Sequence, residues 1–143
     1  MLTGVGTLGS IAANLTANNT YSVIECGTVL ADSVIFVDDA MPASSGLYAY
    51  VRLVNASSDT SATAITAAVG NTVVGSNVAY AAVSGWTQVP SGSYSLTAFN
   101  VNSPGNVATL SGTNINAGSF YTLLYSGNSN QSVGFKLTVI SSN

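Results

Sequence analysis

The chain is 143 residues long with a formal net charge of −3, and it carries two basic and five acidic residues and no histidine. Six of the charges (Glu25, Asp32, Asp38, Asp39, Arg52 and Asp59) fall in one stretch, and nothing charged occurs from Thr60 through Phe135. The pattern excludes imidazole catalysis and imidazole metal ligation and leaves too few cations to hold a phosphate backbone. It also departs from an ordinary soluble domain, which is about one-quarter charged.

At 47% hydrophobic residues the chain can bury a core, and it is too apolar for intrinsic disorder. The apolar residues are dispersed, and no run approaches the roughly 20 needed for a membrane-spanning helix. The start, MLTGVGTLGSIAANLT, has no basic n-region and too much Gly, Thr and Asn for a signal peptide. An exported form would carry its leader outside this sequence.

Taken in order, the apolar alternation and turn residues predict strands at 7–15, 20–26, 33–38, 47–55, 63–69, 72–80, 85–89, 93–101, 107–115, 119–126 and 133–140. Gly70-Asn71 reads as a tight hairpin turn, Pro90-Ser91-Gly92 as a second turn, and Asn102-Ser-Pro-Gly-Asn106 as a loop. No window carries a helical period with capping signals. The expected fold is all-β: an Ig-like or Greek-key antiparallel sandwich of about eight strands, plus three strands from an N-terminal half-repeat.

That half-repeat is visible at an offset of 100 residues. Asn14-Leu-Thr-Ala-Asn-Asn-Thr-Tyr-Ser-Val-Ile-Glu-Cys-Gly27 aligns with Asn114-Ile-Asn-Ala-Gly-Ser-Phe-Tyr-Thr-Leu-Leu-Tyr-Ser-Gly127, with Asn14/Asn114, Ala17/Ala117, Tyr21/Tyr121 and Gly27/Gly127 identical. Leu15/Ile115, Ser22/Thr122, Val23/Leu123 and Ile24/Leu124 keep their character. The chain therefore divides into a truncated repeat at 1–46 and a complete module at 47–143. Three strands without a matching sheet are marginal alone and present open edges. They either pack on their own module or complete a sheet in a neighbouring subunit.

Tyr48-Ala-Tyr-Val-Arg-Leu-Val-Asn-Ala-Ser-Ser-Asp59 resembles the opening signature of the prokaryotic surface or secreted domain-of-unknown-function family 4397, roughly V-R-hydrophobic-hydrophobic-H-A-S-P-D. Ser76-Asn-Val-Ala-Tyr80 and Gly85-Trp-Thr-Gln-Val-Pro-Ser-Gly-Ser-Tyr94 resemble its middle, and Ala117-Gly-Ser-Phe-Tyr-Thr-Leu-Leu124 its closing segment. The likeness covers about 47–143, and residues 7–46 resemble the tail of a preceding tandem copy. Asn55 stands where the family has His, and Ser58 where it has Pro. The resemblance implies a secreted or surface β-domain, often repeated, and carries over no catalytic residue.

The residues themselves point away from catalysis. Cys26 has Glu25 as its neighbour rather than an electropositive setting; it is expected as a small buried hydrophobe, with an intermolecular disulfide as the alternative. Adjacent Asp38 and Asp39 would point to opposite faces of a strand and cannot flank one bond. Asp32, Asp38, Asp39 and Asp59 are weak calcium candidates without the spacing of a calcium loop. Asp38 or Asp39 is expected to pair with Arg52 and fix the orientation of half-repeat and module. Tyr48 and Tyr50 share a strand face with Arg52 and are candidate sugar-stacking residues, with sheet or interface packing as the alternative. Trp86 reads as a core anchor. Asn14, Asn18, Asn55 and Asn130 stand in glycosylation sequons.

The expectation is thus a non-enzymatic, cofactor-free structural subunit of an extracellular, pilus-like filament or surface layer, assembling with copies of itself. The assembly residues would be Val5, Leu8, Ile11, Leu15, Tyr21, Val23 and Ile24. Deleting 1–46 is expected to leave a folded module that does not polymerise. The alternative is a secreted or surface-tethered carbohydrate-binding adhesin module. No nucleic-acid partner and no transmembrane segment are expected.

Overall fold

The computed structural model describes residues 10–28, 31–59, 64–129 and 134–142, and every regular element in it is a strand. In chain order these are β1 (Tyr21–Thr28), β2 (Ala31–Asp38), β3 (Tyr48–Asn55), β4 (Ala64–Val69), β5 (Thr72–Ala79), β6 (Ala82–Val83), β7 (Thr87–Pro90), β8 (Gly92–Asn100), β9 (Ser103–Ile115), β10 (Phe120–Gly127) and β11 (Phe135–Ser142). One sheet runs β11-β10-β3 and ends in the broken edge β6/β7; the second runs β5-β4-β8-β9; β1 and β2 form a two-stranded ribbon.

The two larger sheets close face to face as a β-sandwich over one core. Alternation sets that core: Ala49, Val51 and Leu53 of β3 and Tyr121, Leu123 and Tyr125 of β10 point inward, meeting Ile65, Ala67 and Val69 of β4 and Leu96 and Ala98 of β8. Among the described residues pairing is antiparallel except between β3 and β10, which run parallel from Phe120↔Tyr50 to Tyr125↔Asn55. Parallel neighbours need a long crossover, and here the chain between them builds the whole second sheet.

The β4–β5 hairpin turns at Gly70 with φ 55°, a conformation glycine adopts without a Cβ penalty. The β8–β9 turn is tighter than predicted: Val101 and Asn102 form it, the Asn102 amide donates to Asn100 Oδ1 at 2.8 Å, and Ser103 already pairs with Asn100. Two other differences concern pairing. Residues 10–15 belong to no strand despite their alternating pattern, because a strand is completed by a neighbour and none lies beside them among the described residues. The two-residue β6, unforeseen in the sequence, pairs with Val54 and Asn55 at the end of β3.

The β1–β2 ribbon lies on the outer face of the β10-β3 sheet of its own chain. Ile24, Cys26, Ile35 and Val37 pack there with Val54, Ala56, Val83 and Leu124. β3 is consequently buried on both faces except at Tyr48. No helix among the described residues is long and apolar enough to cross a membrane.

Candidate assembly surface

The seam between ribbon and sandwich is organised around the single arginine. On β3, Tyr48, Tyr50, Arg52 and Val54 point away from the core. The buried Arg52 guanidinium donates from Nη2 to Asp39 Oδ1, donates from Nε to Thr122 Oγ1 at 3.0 Å, and lies 4.3 Å from the centroid of the Trp86 ring. Ser22 Oγ of the ribbon donates to Asp39 Oδ2 at 2.7 Å, and Trp86 Nε1 donates to the Ala40 carbonyl at 3.1 Å. Every charge here is opposed and hydrogen-bonded, which a buried ion pair requires if it is not to destabilise the fold. Its contribution is directional: the fork, the indole face and the two hydroxyls together define one seating of the ribbon.

Asp39 is the acid that pairs with Arg52. Asp38 sits one residue earlier on the opposite face and accepts from the Ala40 amide at 3.0 Å and from Asn19 Nδ2 at 3.4 Å. Trp86 stands over Arg52 at the seam, edge-on to Phe120 at 5.6 Å between centroids, so its predicted place in the sandwich core is corrected. No feature of the sequence linked it to Arg52, 34 positions away. Ser22 and Thr122, by contrast, were legible as a repeat pair, and both serve this cluster.

The repeat is also visible in three dimensions. Thr16 N donates to Tyr21 Oη at 2.9 Å, and Asn116 N donates to Tyr121 Oη at 3.0 Å. The turn bonds Asn19 N to Thr16 O and Ser119 N to Asn116 O are both 3.3 Å. Positive φ recurs at Asn18 and Gly118 (67° and 81°) and at Gly27 and Gly127 (124° and 109°). At Gly127 a Cβ would also collide with the Gly134 carbonyl oxygen. Across each hairpin the pairs correspond: Val23↔Phe36 with Leu123↔Val139, and Glu25↔Val34 with Tyr125↔Leu137.

The two copies differ in which face is covered. In β10–β11 the face bearing Tyr121, Leu123 and Tyr125 is the sandwich core. In β1–β2 the equivalent face, Tyr21, Val23 and Glu25 with Val34 and Phe36, points away from the sandwich. Tyr21 and Phe36 stack there at 5.0 Å between ring centroids. Val23 is 66% exposed where Leu123 is 0%, and Leu15 is 72% exposed where Ile115 is 1%. Among the candidate assembly residues, Ile11, Leu15, Tyr21 and Val23 thus lie on or beside an open surface. Ile24 does not, because it packs into the seam with Leu124, its own repeat counterpart. Val5 and Leu8 lie outside the described residues.

The remaining candidates are dispersed. Tyr50 is buried, stacked on Phe120 at 5.4 Å, and accepts from Gln88 Nε2 at 2.9 Å, so it offers no free ring face and the paired stacking platform is corrected to Tyr48 alone. Asp39 is committed to Arg52, and Asp59 accepts from the Ser129 amide at 2.6 Å beyond the other end of β3. Asp38, Asp39 and Asp59 therefore do not converge on a calcium site, and the side chain of Asp32 lies outside the described set. Among the described residues no group of three or more metal-ligating side chains occurs. Cys26 is half-buried, its thiol 3.7 Å from Tyr80 Oη.

Asn55 is fully buried, with Nδ2 donating to the Val78 carbonyl at 3.0 Å and Oδ1 accepting from the Ser57 amide at 3.1 Å; it is therefore inaccessible as a glycosylation acceptor in the folded chain. Asn14 and Asn18 are exposed, and Asn130 lies outside the described residues. The polar end of the Val51–Asp59 signature is a clamp. Asn55 ties β3 to β5, Ser57 Oγ donates to the Gly127 carbonyl at 2.8 Å, and Asp59 holds the loop that follows β10.

No curated protein matches the chain. The family model described as Domain of unknown function (DUF4397) matches residues 49–143, the span from the start of the Arg52 strand to the last hairpin, and the chain belongs to that family.

Proposed function

We propose that this protein is a non-enzymatic structural subunit of an extracellular filament or surface layer, assembled from copies of itself by completion of β-sheets. One observation carries the reading. The N-terminal ribbon and the segment leading into it keep the core-facing pattern of the C-terminal hairpin, yet leave Leu15 and Val23 open to solvent. Apolar side chains set out for burial beside an unpaired sheet edge favour association with another chain. Residues 1–24 carry no charge, so a contact along them would desolvate none.

The test is made on the full chain, because removing 1–46 would strip the cover from Val54 and Leu124 and leave Arg52 without Asp39. Leu15→Lys combined with Val23→Lys places two charges on the open surface without touching the seam. The wild type is expected to form fibres or sheets in negative-stain images and fast-sedimenting species at high concentration. The double variant should stay monomeric with the same unfolding midpoint. A wild type that remains monomeric when concentrated would sink the proposal.

The adhesin alternative needed an aromatic platform at Tyr48 and Tyr50. With the Tyr50 ring stacked on Phe120, nothing in the geometry favours it.

A further inference from the structure

Resting on the assembly reading, we propose that the 10–16 arm of one copy adds as a strand along the open edge of β1 in a second copy, over the outer face of β11. β1 is the copy of a central strand that stands at an edge. Its counterpart β10 lies between β11 and β3. The Ser119 and Tyr125 carbonyls accept from the Tyr50 and Ala56 amides at 3.0 and 2.8 Å, so the odd-numbered residues along β10 turn their backbone groups towards β3. β1 keeps that phase. The Asp39 amide donates to the Thr20 carbonyl at 2.9 Å, so the even-numbered residues bond with β2, while Tyr21, Val23, Glu25 and Gly27 turn their N–H and C=O groups to the other side. Among the described residues no strand pairs with them there.

The space beside that edge is open and has a floor. Two clefts run along β1, and neither is lined by β2. One, of about 200 Å³, lies between Ser22, Val23 and Ile24 and the Thr122, Ile140 and Ser142 side of the β10–β11 hairpin, with Arg52 behind them. The other, of about 330 Å³, lies between β1 at 24–27 and the β10 end at Leu124, Ser126, Gly127 and Asn128, closed by Ala56 and Ser58. The ribbon covers β3 and stops short of β11, where Ile140 stays 44% exposed. Two-fold antiparallel pairing of β1 with a second β1 would bring that copy's β10 under the same edge, where β11 already stands. The place fits a single added strand.

The arm has the matching pattern. It belongs to no strand, its residues are uncharged, and Ile11 and Leu15 are 48% and 72% exposed. Extended, it sets Ile11, Ala13 and Leu15 on one face and Ser10, Ala12, Asn14 and Thr16 on the other. The first face would lie on the floor and the second would meet solvent, while the odd-numbered backbone groups of β1 complete the ladder, as those of β10 do with β3. Each copy has one arm and one such edge, so the contact is head-to-tail and can propagate.

The experiment uses full-length protein with Cys26→Ser, the residue that its repeat counterpart Ser126 already is. One preparation carries Asn14→Cys and another Val23→Cys. Both positions face solvent one strand apart in the paired arm, and a short bis-maleimide bridges them without depending on register. A cross-linked heterodimer from the mixture, and a ladder of multimers from a chain bearing both cysteines, is the expected result. Separately, Ile140→Lys should leave the urea midpoint of the monomer unchanged and reduce the assembled fraction about tenfold or more, by burying an ammonium beneath the added strand. Wild type that assembles while the mixture gives no heterodimer, or an Ile140→Lys variant that assembles as well as wild type, overturns this acceptor and leaves the assembly reading intact. A cross-link confined to one chain assigns the edge to that chain's own arm, and Val23→Cys protein that cross-links only to itself assigns it to a second ribbon; either result overturns the proposal. A wild type that never assembles removes both.

Discussion

The ribbon β1–β2 and the hairpin β10–β11 have the same local design and opposite surroundings. Both carry the tyrosine that accepts from a backbone amide five residues upstream, the same turn, and a positive-φ glycine at the end of the first strand. In β10–β11 the Tyr121, Leu123 and Tyr125 face closes the sandwich, and the opposite face receives the ribbon. In β1–β2 that opposite face is the buried one. A hairpin's local sequence therefore specifies its turn and register, while its buried face is decided by what else is within reach.

The largest effect is expected at the seam. Asp39→Ala leaves the Arg52 guanidinium buried without its counter-charge and should cost about 3–5 kcal/mol, read as a lower urea midpoint. Replacing Arg52 by Met in the same chain should recover much of that loss. If Asp39→Ala is silent, the ribbon is not seated by the ion pair. Next come the equivalent positions. Leu123→Ala opens a cavity in the core and should cost about 2–5 kcal/mol, whereas Val23→Ala should stay within about 0.5 kcal/mol in the monomer. A large loss at Val23 would mean that its face is covered in the free chain.

The smallest effect concerns a position where the copies diverge, Tyr125 against Glu25. Burial, and then the negative charge of Asp59, push the Tyr125 hydroxyl well above its ordinary value. The folded state therefore keeps a proton that the unfolded tyrosine has lost. The stability it contributes is complete below about pH 10, the ordinary tyrosine value, and declines as pH rises through that value. Urea midpoints collected across that alkaline range should fall with pH, and Tyr125→Phe should make the decline shallower. Equal slopes would show that Tyr125 ionises as freely folded as unfolded.

Much of the fold was legible because its elements alternate cleanly. The inward set Ala49, Val51 and Leu53 and the repeat-related Tyr121 and Leu123 follow from period two alone. Segment 10–15 alternates equally well and forms no strand, since alternation describes a side-chain pattern and pairing needs a second chain segment. The parallel contact of β3 with β10 joins strands some 70 positions apart and leaves no local trace. At the seam the adjacency of Asp38 and Asp39 implied opposite faces, so one acid at most could reach Arg52. Which one did depended on how the ribbon sat, and that is a tertiary fact. The Asn55–Asp59 signature was visible as a motif, but its role as a clamp required the positions of Val78, Gly127 and Ser129.

Trp86 is the chain's only tryptophan, and it lies where the ribbon's loop, the arginine and the sheet edge converge. Its emission should therefore respond to the lifting of the ribbon before the sandwich itself melts. A red shift on undocking, followed at higher denaturant by loss of the near-ultraviolet tyrosine dichroism, would separate opening of the seam from global unfolding without any label. The fold carries its own optical gauge of whether the β1–β2 ribbon is seated.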